Sequence, residues 1–145
     1  MQFLDERQLE LLAKADPELE QQFKEIMNTQ STNNINGDVF RPSANVLLEP
    51  RELVIIVELP GICKEDIQLG MSAHELVIQG VRKEPLDLRK EHFLNMELSF
   101  GPFMRRFQIP AGVNVEEIDA NYADGFLIIK MLRVASDPVS LKMEG

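Results

Sequence analysis

Four side chains carry most of the reactive or charged chemistry that stands out in this chain. Cys63 precedes Lys64, and a neighbouring cation favours the thiolate that nucleophilic or redox chemistry needs. A small residue after the Pro60-Gly61 turn explains Cys63 equally well. His74 and His92 lie far apart and are flanked by charges, so both read as ordinary exposed histidines. There is no Gly-x-Ser-x-Gly, no Gly-rich phosphate loop and no ligand pair at metal spacing. The expectation is therefore no enzyme activity, no catalytic residue, no cofactor and no metal. Arg105 is the most informative charge. It shares a strand face with Phe103 and Phe107. A buried arginine there needs a carboxylate, for which Glu97 and Asp124 are candidates. An exposed one would lie with its stem over the aromatic face.

The elements that must position these residues are short strands. Leu53 to Val57 is an unbroken apolar run rich in β-branched residues, which fits a pleated surface and not a helix. Leu53, Ile55, Val57 and Leu59 fall on one face, Val54 and Ile56 on the other, and Pro60-Gly61 ends the strand. Further strands are predicted over 45–49, 66–71, 75–81, 93–100, 103–109, 118–122 and 126–132. Asp124-Gly125 supplies a hairpin turn between the last two. Seven or eight short strands with regular turns and no helical pattern between them predict an all-β sandwich.

The rest of the chain reads as appendages. Residues 2–27 are predicted helical, with Asp5 as a cap before Glu6-Arg7-Gln8 and Asp16-Pro17 as a second start. Leu9 and Leu12 share one helical face, and Leu19, Phe23, Ile26 and Met27 share another. Residues 28–38 are polar and turn-rich, which predicts a linker. Residues 82–92 form a charged excursion that places the 93–100 strand far out on an arm. The organisation expected is an arm at 1–40, a β domain at 41–132 and an extension at 133–145.

These pieces resemble the small heat-shock proteins, the α-crystallin domain family. The carriers are Val57-Glu58-Leu59-Pro60-Gly61-Ile62 with Lys64-Glu65-Asp66-Ile67, and Leu76-Val77-Ile78-Gln79-Gly80 with Arg82 after it. Two more follow in order: Gly101-Pro102-Phe103-Met104-Arg105-Arg106-Phe107-Gln108-Ile109-Pro110, and Ala120-Asn121-Tyr122-Ala123-Asp124-Gly125-Phe126-Leu127. The resemblance implies an immunoglobulin-like sandwich. It also implies an arm strand that inserts into a partner's sheet, here Phe93, Leu94, Met96 and Glu97, with Arg105 at the dimer interface. A tail motif, Val139 and Leu141 with Leu in place of the usual β-branched residue, would dock into a neighbour's groove. The resemblance places that groove between residues 67–71 and 118–122, at Ile67, Leu69, Met71, Ala120 and Tyr122.

The function expected is an ATP-independent holdase chaperone that keeps non-native proteins from aggregating. Leu9, Leu12, Leu19, Phe23, Ile26 and Met27 are the candidate client-binding residues, because apolar, methionine-containing surfaces repack against varied partners. The alternative is an α-crystallin-like adaptor for one defined partner. Such adaptors lack the arm excursion and the tail motif. A net charge of −9 argues against a nucleic-acid partner and favours solubility of a loaded complex. No run approaches the roughly 18 apolar residues of a membrane span, so no membrane partner is expected. With one cysteine and no secretory signal, a cytoplasmic location is expected.

Overall fold

The computed structural model describes residues 1–9 and 39–134. They form eight strands: β1 (Gln2–Leu4), β2 (Ala44–Leu48), β3 (Glu52–Glu58), β4 (Ile67–Ser72), β5 (Glu75–Arg82), β6 (Gly101–Gln108), β7 (Asp119–Ala123) and β8 (Phe126–Leu132). One sheet runs β1-β4-β5-β6 and the other β2-β3-β8-β7. They belong to two compact units, residues 1–42 with 61–107, and 43–60 with 108–145.

The second unit is organised around β3, as its apolar run predicts. β3 pairs antiparallel with β2 on one side and β8 on the other. Its alternation is complete: Leu53, Ile55, Val57 and the following Leu59 are buried, while Val54 and Ile56 are half-buried. Leu127, Ile129 and Met131 of β8 extend the same buried row. Full burial of each such side chain is worth about 1.5–3 kcal/mol. Asp124 and Gly125 both adopt positive φ, 55° and 82°, as the two-residue β7–β8 hairpin demands. Two tethers close the unit. The Tyr122 hydroxyl donates to the Leu59 carbonyl at 2.6 Å, and the Leu59 N–H donates to Gly125 at 2.7 Å.

The first unit buries Ile67 and Leu69 of β4, Leu76 and Ile78 of β5, and Phe103 of β6. Gly80 is obligatory in β5. A Cβ there would overlap the Asp66 carbonyl oxygen and sit 2.6 Å from Phe103 Cζ, so the phenyl ring owns that space. Phe40 stacks on Phe103 with ring centroids 5.6 Å apart, and its N–H donates to Pro102. Val39 and Phe40 are both buried.

Two expectations need correction. Residues 2–27 do not begin as helix. Gln2–Leu4 is a strand, parallel to β4, with Gln2 opposite Gln68, Phe3 opposite Leu69 and Leu4 opposite Gly70. Only then does the helix start, and Asp5 caps it as predicted. Its carboxylate accepts from the Gln8 N–H at 2.7 Å while Gln8 Oε1 accepts from the Asp5 N–H at 3.0 Å, a reciprocal capping box. Three residues are too few for a period to show against the helical signals that follow. The second correction concerns 93–100, predicted as a strand from its alternation. It forms no ladder, because no described strand lies beside it to bond with. The remainder of the expected helices, the 28–38 linker and nearly all of the 133–145 extension lie outside the described residues.

Candidate functional site

Among the described residues, the candidate interaction surfaces include the outer sides of β2 and β4 and the arm between β5 and β6. The arm leaves β5 at Arg82, makes a short 3-10 turn at Lys90–His92 and returns at Gly101. Arg82 fixes its root. The guanidinium lies 4.6 Å from the Phe40 ring centroid and 5.4 Å from that of Phe100, and Nε donates to the Ser99 carbonyl at 2.9 Å. Cation–π contact of this kind holds a planar guanidinium in place. Beyond this root the arm is open. Leu94 is 104% exposed, Leu98 and Phe93 are exposed, and Met96 is half-buried. Val81, Leu86, Leu88, Phe93, Met96 and Leu98 line an apolar groove of about 530 Å³ on the arm's inner side. Glu97 is exposed and accepts from Asn95 Nδ2 at 2.8 Å.

β2 is the apolar open edge. It ends its sheet, and Val46 and Leu48 are 54% and 55% exposed. The register shows which amides are spare. Glu58 donates to Ser43 and Glu49 donates to Glu52. In an antiparallel ladder the bonded pairs alternate, so the odd residues of β2 face β3. Ala44, Val46 and Leu48 therefore direct their N–H and C=O groups to the free side. Sequence reasoning found the strand but not this role. Its signal was the shortness of the run and its stop at Pro50.

β4 is the closed edge. Of the residues expected to form a tail-docking groove, Ile67 and Leu69 are fully buried core residues that offer no open apolar row, and Met71 is half-buried. Ala120 and Tyr122 are half-buried in β7, and the Tyr122 hydroxyl is engaged by Leu59. The outer side of β4 is taken by β1. Val139 and Leu141 lie outside the described residues, as do Leu12, Leu19, Phe23, Ile26 and Met27. Leu9 is described, half-buried, with its side chain over Gly70.

Arg105 is half-buried, and its guanidinium lies over an aromatic face. Its guanidinium lies 4.7 Å from the Phe107 ring centroid, and Nη1 donates to the Pro42 carbonyl at 2.8 Å. Neither Glu97 nor Asp124 pairs with it among the described residues. Its Nε is buried without an acceptor. Loss of hydration, and secondarily repulsion from Arg41, push its pKa below the usual arginine range. The neighbouring Arg106 instead forms an ordinary pair, Nη1 to Glu75 Oε1 at 3.0 Å. Cys63 is exposed in a turn whose carbonyl accepts from the Asp66 N–H, and His74 and His92 are exposed. No cluster of three or more His, Cys, Asp or Glu residues that could hold a metal occurs among the described residues. No described helix is long and apolar enough to cross a membrane.

Comparison with known proteins agrees with this architecture. The family model described as "Hsp20/alpha crystallin family" matches residues 45–141. "Small heat shock protein C4" of Rickettsia felis is 32% identical over 110 residues, covering 75% of this chain and 67% of that protein. The "22.7 kDa class IV heat shock protein" of Pisum sativum is 29% identical over 91 residues, 62% of this chain but only 46% of that protein. Among solved structures, a small heat-shock protein from Xylella fastidiosa superposes with a TM-score of 0.60 at 33% identity, over 66% of this chain and 88% of that one. The two four-stranded sheets are those of an immunoglobulin-like β-sandwich, and the chain belongs to the Hsp20/alpha crystallin family of small heat-shock proteins.

Proposed function

We propose that the protein is an ATP-independent holdase that self-associates through its arm and captures non-native proteins on apolar surface. Family membership supports the chaperone class, and no nucleotide-binding motif occurs in the sequence. The observation that carries the reading is the unmatched pair of apolar elements. The 93–98 arm segment alternates like a strand but has no ladder, and β2 has spare backbone groups beside exposed Val46 and Leu48. Each lacks what the other offers. Pairing the arm of one copy with β2 of another satisfies both sets of groups. The arm residues are Phe93, Leu94, Met96 and Glu97. Arg105 brings an unmatched donor that a partner's acceptor would satisfy. The structure of the Xylella fastidiosa relative is titled as showing "a distinct high order structure". By analogy, Val139 and Leu141 of the tail would link dimers by docking along β4.

Clients would bind to the apolar positions of residues 9–27, which a cytoplasmic holdase presents to unfolding proteins. The test is heat-induced aggregation of two unrelated client proteins. The full chain should suppress both, and Leu12→Ser with Leu19→Ser and Phe23→Ser should lose most of that protection while keeping the β domain folded. Protection of neither client by the full chain would favour an adaptor for one defined partner.

A further inference from the structure

We infer that Arg82 is the positioning residue of the arm: it latches the arm's returning leg to Phe40 and so sets the direction in which residues 93–98 are presented to a partner. The inference rests on the arm-mediated self-association proposed above and adds to it the side chain that orients the arm.

The latch is seated on the core through a series of contacts. Gly80 leaves open the space that the buried Phe103 ring fills, and Phe103 stacks with Phe40. Phe40 is also pinned to β6 by two backbone bonds. Its N–H donates to the Pro102 carbonyl at 2.9 Å, and its carbonyl accepts from the Met104 N–H at 3.2 Å. That fixed ring receives the Arg82 guanidinium at 4.6 Å, and the same guanidinium reaches the Phe100 ring at 5.4 Å. Its Nε and Nη2 both donate to the Ser99 carbonyl. One cation thus ties together three stretches far apart in sequence: Phe40, the end of β5 and the last residues of the arm. A guanidinium suits this task, because its planar face contacts rings while its edge donates hydrogen bonds.

The arm needs a latch at this point. Its return into β6 passes through Gly101, which has a φ of 95° and around which a Cβ would meet nothing within 4 Å. Glycine in open space is a permissive pivot. Farther out the two legs part around the apolar groove, and Leu94 and Leu98 are exposed. On the outgoing leg, Lys83 meets Asp66 at 3.8 Å with the lysine side chain 76% exposed, and such surface pairs do little to hold a direction. Ser99 and Phe100 lie immediately before the pivot, so holding them holds the arm. An arm free to swing about Gly101 would be competent to pair for only part of the time. Its apparent affinity for a partner would fall by that fraction.

The experiment uses the full chain and makes two measurements on Arg82→Met, on Phe40→Leu and on the two combined. Spin labels on Cys63 and on Glu91→Cys, with labelled chains diluted into excess unlabelled chain, give the distribution of distances between the β domain and the arm. Sedimentation of the unlabelled chains gives the dimer dissociation constant. Hydrogen exchange of the β5 and β6 amides checks the fold, and Phe100→Leu takes the place of Phe40→Leu if that variant loses protection there. The expected result is a broadened distribution in each single variant and a dimer roughly tenfold weaker. The double variant should be no worse than the singles, because the two residues act as one device. An unchanged distribution in Arg82→Met overturns the inference, even where the dimer weakens, because Arg82 would then contribute contact and not direction. Fully additive losses overturn the link to Phe40. A dimer that survives replacement of residues 84–98 removes the self-association reading itself, and this inference with it.

Discussion

The outer edges of β2 and β4 solve the same problem in opposite ways. β2 ends its four-stranded sheet, and β4 would end a three-stranded one but for β1; each outer side carries a row of backbone groups that water or another strand must satisfy. On β4 the chain provides its own cover, β1, keyed by a glutamine row and a glycine socket. On β2 the described residues provide none, and Val46 and Leu48 stay exposed beside the spare amides. An edge meant to stay bare is usually blunted by lysine, proline or a bulge. β2 is Ala-Asn-Val-Leu-Leu and carries none of these. The difference teaches that edge cover is local: β4 is covered by the chain's own β1, whereas β2 keeps spare backbone groups beside exposed apolar side chains.

The sharpest way to break this contrast is to remove the element proposed to complete β2. Replacing residues 84–98 by a short turn should abolish dimers outright, with the chain sedimenting as a monomer at all accessible concentrations. A surviving dimer would show that β2 is not filled by the arm. A gentler change acts on the edge itself. Val46 points its N–H away from β3, so Val46→Pro removes the central outward donor without cutting the β2–β3 ladder. An unsatisfied carbonyl left on the arm should cost about 1–3 kcal/mol, which is roughly a 5–150-fold rise in the dimer dissociation constant. Leu47→Pro, facing β3, should instead lower the melting temperature. Equal behaviour of the two variants would mean that the free side of β2 is unused.

Arg105 tests whether the proposed dimer reaches beyond β2. Its Nη1 is spent on Pro42, yet Nε has no acceptor among the described residues. Arg105→Met keeps the stem over Phe107 and removes the charge. If a partner supplies the missing acceptor, dimer affinity should fall by roughly 1.5–3 kcal/mol, the worth of a charge-assisted bond. The melting temperature of the monomeric 84–98 replacement should move far less, because the orphaned donor is lost along with the Pro42 bond. The reverse pattern would assign Arg105 to the chain's own stability.

Legibility followed the length of each signal. β3 could be read at once, because an apolar run with Pro60-Gly61 behind it has only one good interpretation, and the burial of Leu53, Ile55, Val57 and Leu59 agrees. The Asp124-Gly125 turn was equally plain, since positive φ at consecutive residues needs such a pair. The Asp5 cap was legible, but the strand before it was not: Gln2–Leu4 owes its form to pairing with β4, a tertiary effect that overrides local propensity. The alternation at 93–100 was read as a strand, yet a strand is a relation between two segments, and no described strand pairs with it. Ile67 and Leu69 were legible as an apolar row but not as core, because alternation tells which residues share a face and not which face is covered.

The smallest predicted effect bears on how β1 finds its register. Gln68 stands at the centre of the glutamine row, opposite Gln2 on one side and Gln79 on the other. Its bond with Gln79 is partly buried and well formed at 2.9 Å, whereas its contact with Gln2 is exposed and long at 3.4 Å. Gln68→Val keeps a residue suited to a strand and removes both contacts. An exposed side-chain bond of this kind contributes about 0.5 kcal/mol, so β4 edge amides should exchange roughly twofold faster. The global melting temperature should hardly move, since valine restores some of what the Gln79 bond contributed. The Leu9 seat on Gly70 is untouched by this change, so any loss of protection belongs to the glutamine row. Unchanged exchange would assign the register of β1 to Leu9 and Gly70 alone, and the closed edge of β4 would then depend on one apolar contact, as the open edge of β2 depends on its exposed valine and leucine.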